Sequence, residues 1–451
     1  MVWLVFGLAL IKFILPFLLQ HPVYEPHRDE FLSLAEGRHL SWGYPDAPPL
    51  PAVFGALSNA LGGGFFWIKF WPALFGAMTY VLVGRMILLL GGGRFALLLG
   101  FLPFVAGPLL LVHFLLKPDF LGLYFQTLMV YGIVRTVRTG RMSGLYWTGI
   151  GFGLGMLSQY HTLLFAIGLV AGLALTRQRK LLLNPHFHIA FLLGWLLFLP
   201  NVIWQAQHGW PVMDLPEEWQ PALRWLIIPG VFAFAAVWLE RAVTARYLRY
   251  GLVGLAVVAG CFIDMVALPM LPPAELAAFY ADHPVFRRLG LMRWADGRDH
   301  ALPQEFADML GWEELSMKAA KAYESLDSLS KTEAVVNGGY NDGESGALDY
   351  YGPKYGLPPV EHRADREVFI FATNERSWMN GKKFAYAAAV DSVTHPFARE
   401  YGSYILLLKG PSSETRQALL QGVERVAAIP QHNVPRDGRP GLHRRESLAG
   451  K

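Results

Sequence analysis

The chain has a single cysteine, Cys261, in 451 residues. No intrachain disulfide can form, so cysteine gives no guide to the redox compartment. Charge is also scarce, at 16% of residues, where soluble domains carry about 25%. No basic face is clustered enough for nucleic acid to be a partner. Neither a nucleotide fingerprint nor a nucleophile elbow nor a metal-ligand spacing is present. The glycine triplets at 62–64 and 91–93 lack the strand, spacing and Lys-Ser/Thr context of a phosphate loop. No small-residue cleavage site precedes His21, so the first apolar run, Met1–Leu19 with one Lys (Lys12), reads as a retained helix.

What is abundant is apolar sequence: 53% of residues are hydrophobic and the mean hydropathy is +0.31. The charge deficit is uneven. Residues 1–271 hold 17 Lys+Arg and 11 Asp+Glu, whereas residues 272–451 hold 22 and 24. The net charge of +4 therefore divides as +6 and −2. The expected fold class is an α-helical polytopic membrane protein with a C-terminal α/β soluble domain. Its parts are a transmembrane domain over 1–271 with an interfacial first outer loop at 20–50, a soluble domain over 272–430, and a disordered tail over 431–451 rich in Pro, Gly and Arg.

A spanning helix needs about 20 mostly apolar residues. Runs near 2–19, 64–84, 95–116, 119–134, 144–159, 161–176, 187–205, 223–240 and 249–271 predict about nine spans. The loops between them alternate. Arg85 and Arg94, then Arg135, Arg138 and Arg141, then Arg177, Arg179 and Lys180, then Arg241, Arg246 and Arg249 make basic loops. Between these lie Asp29, Glu30, Glu36 and Asp46, then Asp119, then Asp214, Glu217 and Glu218. The positive-inside rule puts the basic loops in the cytoplasm and the acidic loops and C-terminal domain outside.

The outer segments carry the candidate chemistry. Phe31–Leu40 has the pattern of a short amphipathic helix lying in the interface. Asp29-Glu30 at its start reads either as a cap favoured by the helix dipole or as a reactive pair. Pro45, Pro48 and Pro49 stiffen the stretch after Tyr44, and Trp42 and Tyr44 suit the headgroup level. Lys117 and Asp119 are wedged between apolar runs, either snorkelling to the interface or marking a site. Gln159, Tyr160 and His161 reach the same side, as does Asn201–Trp219. Together these segments gather carboxylates (Asp29, Glu30, Asp119), cations (Arg28, Lys117) and histidines (His27, His161) on one face. That inventory suits a base acting on an acceptor hydroxyl, with cations stabilising a phosphate leaving group from a lipid-linked donor.

In the C-terminal part, strands are predicted at Ala334–Asn337, Val368–Thr373 and Tyr404–Lys409, and helices at Trp312–Leu329, Glu344–Tyr351 and Glu414–Ala428. Asp342, Glu344 and Asp349 read as solvated loop charge, with an acceptor-facing role as the alternative.

The blocks "HRDEFLSLAEGRHLSWGYPDAPPL", "LLKPDFLGLYF", "GLGMLSQYHTLLF", "LPNVIWQAQHGWP", "LPQEFADMLGWEEL" and "NDGESGALDYYGPKYGLPPV" run in order from about 25 to 360. In this order the chain resembles bacterial members of glycosyltransferase family 39, polytopic GT-C enzymes related to protein O-mannosyltransferases and aminoarabinose transferases. The resemblance implies inverting transfer of a sugar (hexose or pentose) from a polyprenyl-phosphate carrier to a glycan, lipid or protein hydroxyl, at the outer face of a bacterial cytoplasmic membrane. It casts Asp29 as general base with Glu30 beside it, and Asp119 as a second acidic residue. Arg28, Lys117, Tyr160, His161 and His27 become candidates for donor phosphate or substrate contact. No cofactor is implied with certainty; whether a divalent cation takes part stays open. The chain departs from the family twice: Ser158-Gln159-Tyr160 stands where Ser-Lys-Tyr is common, and the join from Trp219 to Ile227 is short. Two other classes stand beside the enzyme. A transporter or lipid-linked sugar flippase would show inverted repeats, and a non-catalytic assembly subunit would fit the Gln159 departure.

Overall fold

The computed structural model describes residues 1–45, 47–106, 108–214, 228–338, 342–361, 363, 365–374, 376–379, 383–417 and 419. Glu217, Glu218, the 219–227 join, the later part of the helix expected over 414–428 and the tail from 431 lie outside them. The chain forms two compact units. One comprises Met1–Pro26 and Glu36–Phe306, the other His27–Ala35 and Ala307 onward.

The N-terminal unit is helical: α1 (Val2–Leu19), the end of α2 (Arg28–Arg38), α3 (Leu50–Ala60), α4 (Phe65–Leu89), α5 (Arg94–Val105), α6 (Pro108–Val112), α7 (Pro118–Thr139), α8 (Ser143–Met156), α9 (Thr162–Ala174), α10 (Pro185–Gln207), α11 (Ile228–Ala242), α12 (Arg246–Ala267) and α13 (Pro273–Asp282). Helix occurs in each apolar run. Yet only α1, α4, α7 and α10 are long and apolar enough to cross a membrane among the described residues. The nine-span count is not confirmed among the described residues. At 1.5 Å per residue, α8 with 14 residues and α9 with 13 fall short of a hydrocarbon core about 30 Å thick. The run at 95–116 is split between α5 and α6, with Pro103 inside the last turn of α5.

Helix ends follow local chemistry. The Asn184 side chain accepts the His186 N–H at the start of α10, and Pro185 fills the first turn, where a missing N–H costs nothing. Gly140, at φ 69°, ends α7 in a left-handed cap that lacks a Cβ penalty. The α5 start is capped from far away: Glu240 of α11 accepts from Gly93 N (2.5 Å) and Ala96 N (3.3 Å).

Small residues let α8 lie against two neighbours at backbone distance. A Cβ on Gly144 would stand 2.4 Å from the Gly132 carbonyl of α7, and one on Gly149 would stand 2.0 Å from the Ala190 carbonyl of α10. Thr148 Oγ1 donates to the Met129 carbonyl across the α7–α8 contact at 3.1 Å. In an apolar solvent such close approach, rather than hydrophobic burial, holds helices together. Helix α1 runs antiparallel to α4, with Val5 against Gly84 at one end and Phe17 against Phe66 at the other.

Compactness departs from the compositional boundary at 271 for a physical reason. His21 N donates to the Pro269 carbonyl at 2.8 Å, Tyr24 Oη to the Leu271 carbonyl at 3.0 Å, and the Tyr24 ring meets Phe306. Residues 272–306 thus fold with the helical unit.

The C-terminal unit is a four-stranded sheet in the order β1-β2-β4-β3, from β1 (Ala334–Asn337), β2 (Val368–Thr373), β3 (Phe384–Ser392) and β4 (Tyr404–Pro411). The β1–β2 pair is parallel and the other two pairs are antiparallel. Helix α14 (Trp312–Glu324) packs on the sheet, and α15 (Asp342–Tyr351) lies in the β1-to-β2 crossover. Phe369, Phe371, Leu406 and Leu408 form the buried core. Strand β3 is unexpected, because Ala385-Tyr-Ala-Ala-Ala389 has weak strand propensity. Its pairing with β4 makes it an edge strand.

Gly149→Ala is expected to destabilise the helical unit by about 1–3 kcal/mol through overpacking. Gly168→Ala, in α9 with open space around it, is expected to be neutral or stabilising. Thermal unfolding of the two variants in detergent checks the contrast; equal melting temperatures would refute it.

Candidate functional site

In the N-terminal unit the sequence's outer segments meet at one end of the helices. Lys117 holds the N-cap position of α7 without a side-chain capping bond, Pro118 takes its first position and Asp119 lies in its first turn, where the helix dipole favours a carboxylate. Gln159 Nε2 donates to Asp119 Oδ1 at 2.7 Å. Gly122, one turn along α7, makes the reach possible: a Cβ there would stand 2.0 Å from Gln159 Oε1. Gln159 is therefore Asp119's direct partner. Next to it, Tyr160 Oη accepts from Gln205 Nε2 of α10 at 3.0 Å, and Gln205 Oε1 accepts from Val212 N at 3.3 Å. His161 holds the N-cap position of α9.

The Ser41–Leu50 stretch closes on the same end. Asn201 Nδ2 donates to the Trp42 carbonyl at 2.8 Å, Leu50 N donates to the Leu157 carbonyl at 2.9 Å, and Gly43 admits the Trp204 ring where a Cβ would clash. Tyr44, expected at the headgroup level, is fully buried with its hydroxyl on the Glu36 and His39 carbonyls; Trp42 is exposed. Lys117, 20% exposed, faces Glu305 at 3.6 Å.

The C-terminal unit holds the start of α2. His27 N donates to Glu30 Oε2 at 2.7 Å while Asp29 N donates to His27 Nδ1 at 3.1 Å. This reciprocal pattern satisfies two of the open N–H groups of the first turn. Glu30 is fully buried in this role, whereas the Asp29 side chain is 46% exposed. Cap and candidate base thus fall to different carboxylates of the pair. The apolar face of α2 is covered by protein rather than lipid: Phe31 packs on the rings of Trp312, Tyr350 and Tyr351.

Behind Asp29 stands a charged network that sequence reasoning misses. Arg28 N donates to the Asp308 carbonyl at 3.0 Å, His27 Nε2 lies 3.9 Å from Asp308 Oδ2, and Arg399 Nη1 donates to both Asp308 carboxylate oxygens at 3.1 and 3.2 Å. Burial lifts the Asp308 pKa above the ordinary carboxylate value, against the pull of Arg399 and His27. Glu344, expected as solvated charge, is fully buried. Burial and the neighbouring Glu400 push its pKa well above the ordinary value, opposed by Arg28. Gly343 permits this approach, since a Cβ there would stand 2.7 Å from Arg28 Cγ and Nε. Asp308 and Glu344 lie in the blocks "LPQEFADMLGWEEL" and "NDGESGALDYY", but nothing in the local pattern marks either as buried. Among the described residues no group of three His, Cys, Asp or Glu side chains could hold a metal ion.

A buried acid with a raised pKa holds its proton in the folded state after the unfolded chain has released it. Stability is then present at low pH and falls as pH rises toward the folded pKa. The wild-type melting temperature is expected to drop on going from pH 5 to pH 8, and Glu344→Gln to flatten that slope, leaving the part due to Asp308. An unchanged slope in Glu344→Gln, read by intrinsic fluorescence, would remove Glu344 as its source.

No curated protein matches the chain. Residues 46–204, about a third of the chain, match the family model described as dolichyl-phosphate-mannose-protein mannosyltransferase. The matched stretch contains Lys117, Asp119, Gln159, Tyr160 and His161.

Proposed function

We propose that the chain is a membrane glycosyltransferase that moves a hexose or pentose from a polyprenyl-phosphate carrier to an acceptor hydroxyl, with inversion. The observation that carries this reading is Asp119, fixed by Gln159 at the start of α7 beside Lys117, inside the stretch that matches the mannosyltransferase family.

The chemistry rests on the charges. Asp29, the exposed member of the Asp-Glu pair, takes the acceptor O–H proton. The acceptor oxygen forms a bond to the anomeric carbon on the face opposite the phosphate. The bond from that carbon to the phosphate oxygen breaks, and the electron pair leaves with the polyprenyl phosphate. Glu30 and His27 act as positioning residues, since their bonds set the first turn of α2 from which Asp29 projects. Lys117 exchanges its exposed partner Glu305 for donor phosphate. Asp119 orients the Gln159 amide, which serves as a neutral hydrogen-bond donor. The alternation of basic and acidic loops, read by the positive-inside rule, supports an outer-face location for this chemistry.

Asp29→Asn is expected to lower turnover of a polyprenyl-phosphate sugar by about 10²–10⁴-fold, the usual worth of a general base. Full activity in the folded variant would exclude Asp29 as the base. Gln159→Leu removes one hydrogen bond to a charged group, worth about 1.5–3 kcal/mol, so kcat/KM is expected to fall roughly tenfold or more. An unaltered kcat/KM would show that Gln159 does not support Asp119.

A further inference from the structure

The opposite end of the N-terminal unit carries a feature that the transfer reaction does not use. Helix α7 runs on for 20 residues past Asp119, so its C-terminal end lies about 30 Å from that carboxylate. At that end a cleft of about 320 Å³ opens between α1, α4 and α7. Its walls are apolar, supplied by Val5, Phe6, Val81 and Leu88. Three arginines line it as well: Arg85 of α4, Arg135 of α7 and Arg141 just beyond α7. Among the described residues none of the three pairs with a carboxylate; the acid of this region, Glu240, is occupied by the N–H groups of α5. The cleft is built into the fold. Arg138 Nε donates to the Leu89 carbonyl at 3.0 Å, tying the ends of α7 and α4 together, while Gly84 seats Val5 of α1. The α1 side chains at its edge, Val2 and Phe6, are about half exposed.

We infer that this cleft binds an anionic phospholipid, its phosphate among Arg85, Arg135 and Arg141 and an acyl chain along the groove between α1 and α4. The two halves of the cleft argue for one amphiphile. Three uncompensated guanidinium groups are suited to planar, multidentate phosphate contact. The adjoining apolar wall has no use for a soluble anion but matches a hydrocarbon chain. Basic pockets between membrane helices recognise anionic headgroups in this way. The arginines thus have a second role besides setting orientation: they make a lipid part of the α1–α4–α7 packing.

Native mass spectrometry of the full-length protein, supplemented with phosphatidylglycerol or phosphatidylcholine, tests the proposal. Phosphatidylglycerol is expected to stay bound under activation that strips phosphatidylcholine. Each of Arg85→Gln, Arg135→Gln and Arg141→Gln is expected to weaken its apparent affinity about fivefold, since a basic residue near an anionic lipid surface contributes roughly 1 kcal/mol. Val81→Trp, which fills the groove and keeps the charges, is expected to reduce retention while leaving the arginines in place. Equal retention of the two lipids, or of phosphatidylglycerol by wild type and all three arginine variants, would overturn the proposal. Displacement of phosphatidylglycerol by millimolar inorganic phosphate alone, with no effect of Val81→Trp, would overturn the acyl-chain part by showing an anion site only.

Discussion

The N-terminal unit depends on helices that touch backbone to backbone. Gly132, Gly144, Gly149 and Gly194 bring α7, α8 and α10 so close that a methyl group has no room at the contacts. This closeness fixes the turn after α8 relative to the start of α7 and the end of α10. Gln159 can then span from that turn to Asp119, and Tyr160 can meet Gln205. A looser bundle would leave these polar side chains to find water or one another at random. The candidate site is thus a product of small residues far below it, which bear no chemistry of their own.

Sequence and structure agree where a signal is periodic or compositional. Apolar runs locate the helices, and the alternation of basic and acidic loops foretells which segments share an end. Trp42, Leu157, Asn201 and Gln205 do converge, and Arg138 and Arg241 meet the carbonyls of Leu89 and Leu90 at the other end. Span length is less legible. Apolar composition continues past Val105 and past Met156, yet α5 and α8 stop there because backbone geometry, not hydropathy, sets helix ends. Strand β3 escapes for a related reason: alanine carries little strand signal, and its pairing with Leu406–Leu408 decides its conformation.

The start of α2 shows how two adjacent acids part company. Residues 29 and 30 are chemically alike, and sequence alone treats them as a pair. Helical rotation sends Glu30 inward to the His27 N–H and leaves Asp29 outward, so one neighbour fixes the turn from which the other projects. The layer beneath, with Asp308, Arg399, Glu344 and Glu400, comes from segments hundreds of residues downstream. No local spacing could have announced it.

The distant cap on α5 has a consequence for biogenesis. Among the described residues the N–H groups of Gly93 and Ala96 donate to Glu240, which leaves the ribosome well over a hundred residues later. Until then the α5 entrance has water or headgroups as its partners, and this corner of the bundle stays unfinished. Assembly at that corner therefore waits for α11 rather than keeping pace with synthesis, and truncation anywhere before residue 240 would leave α5 without this cap.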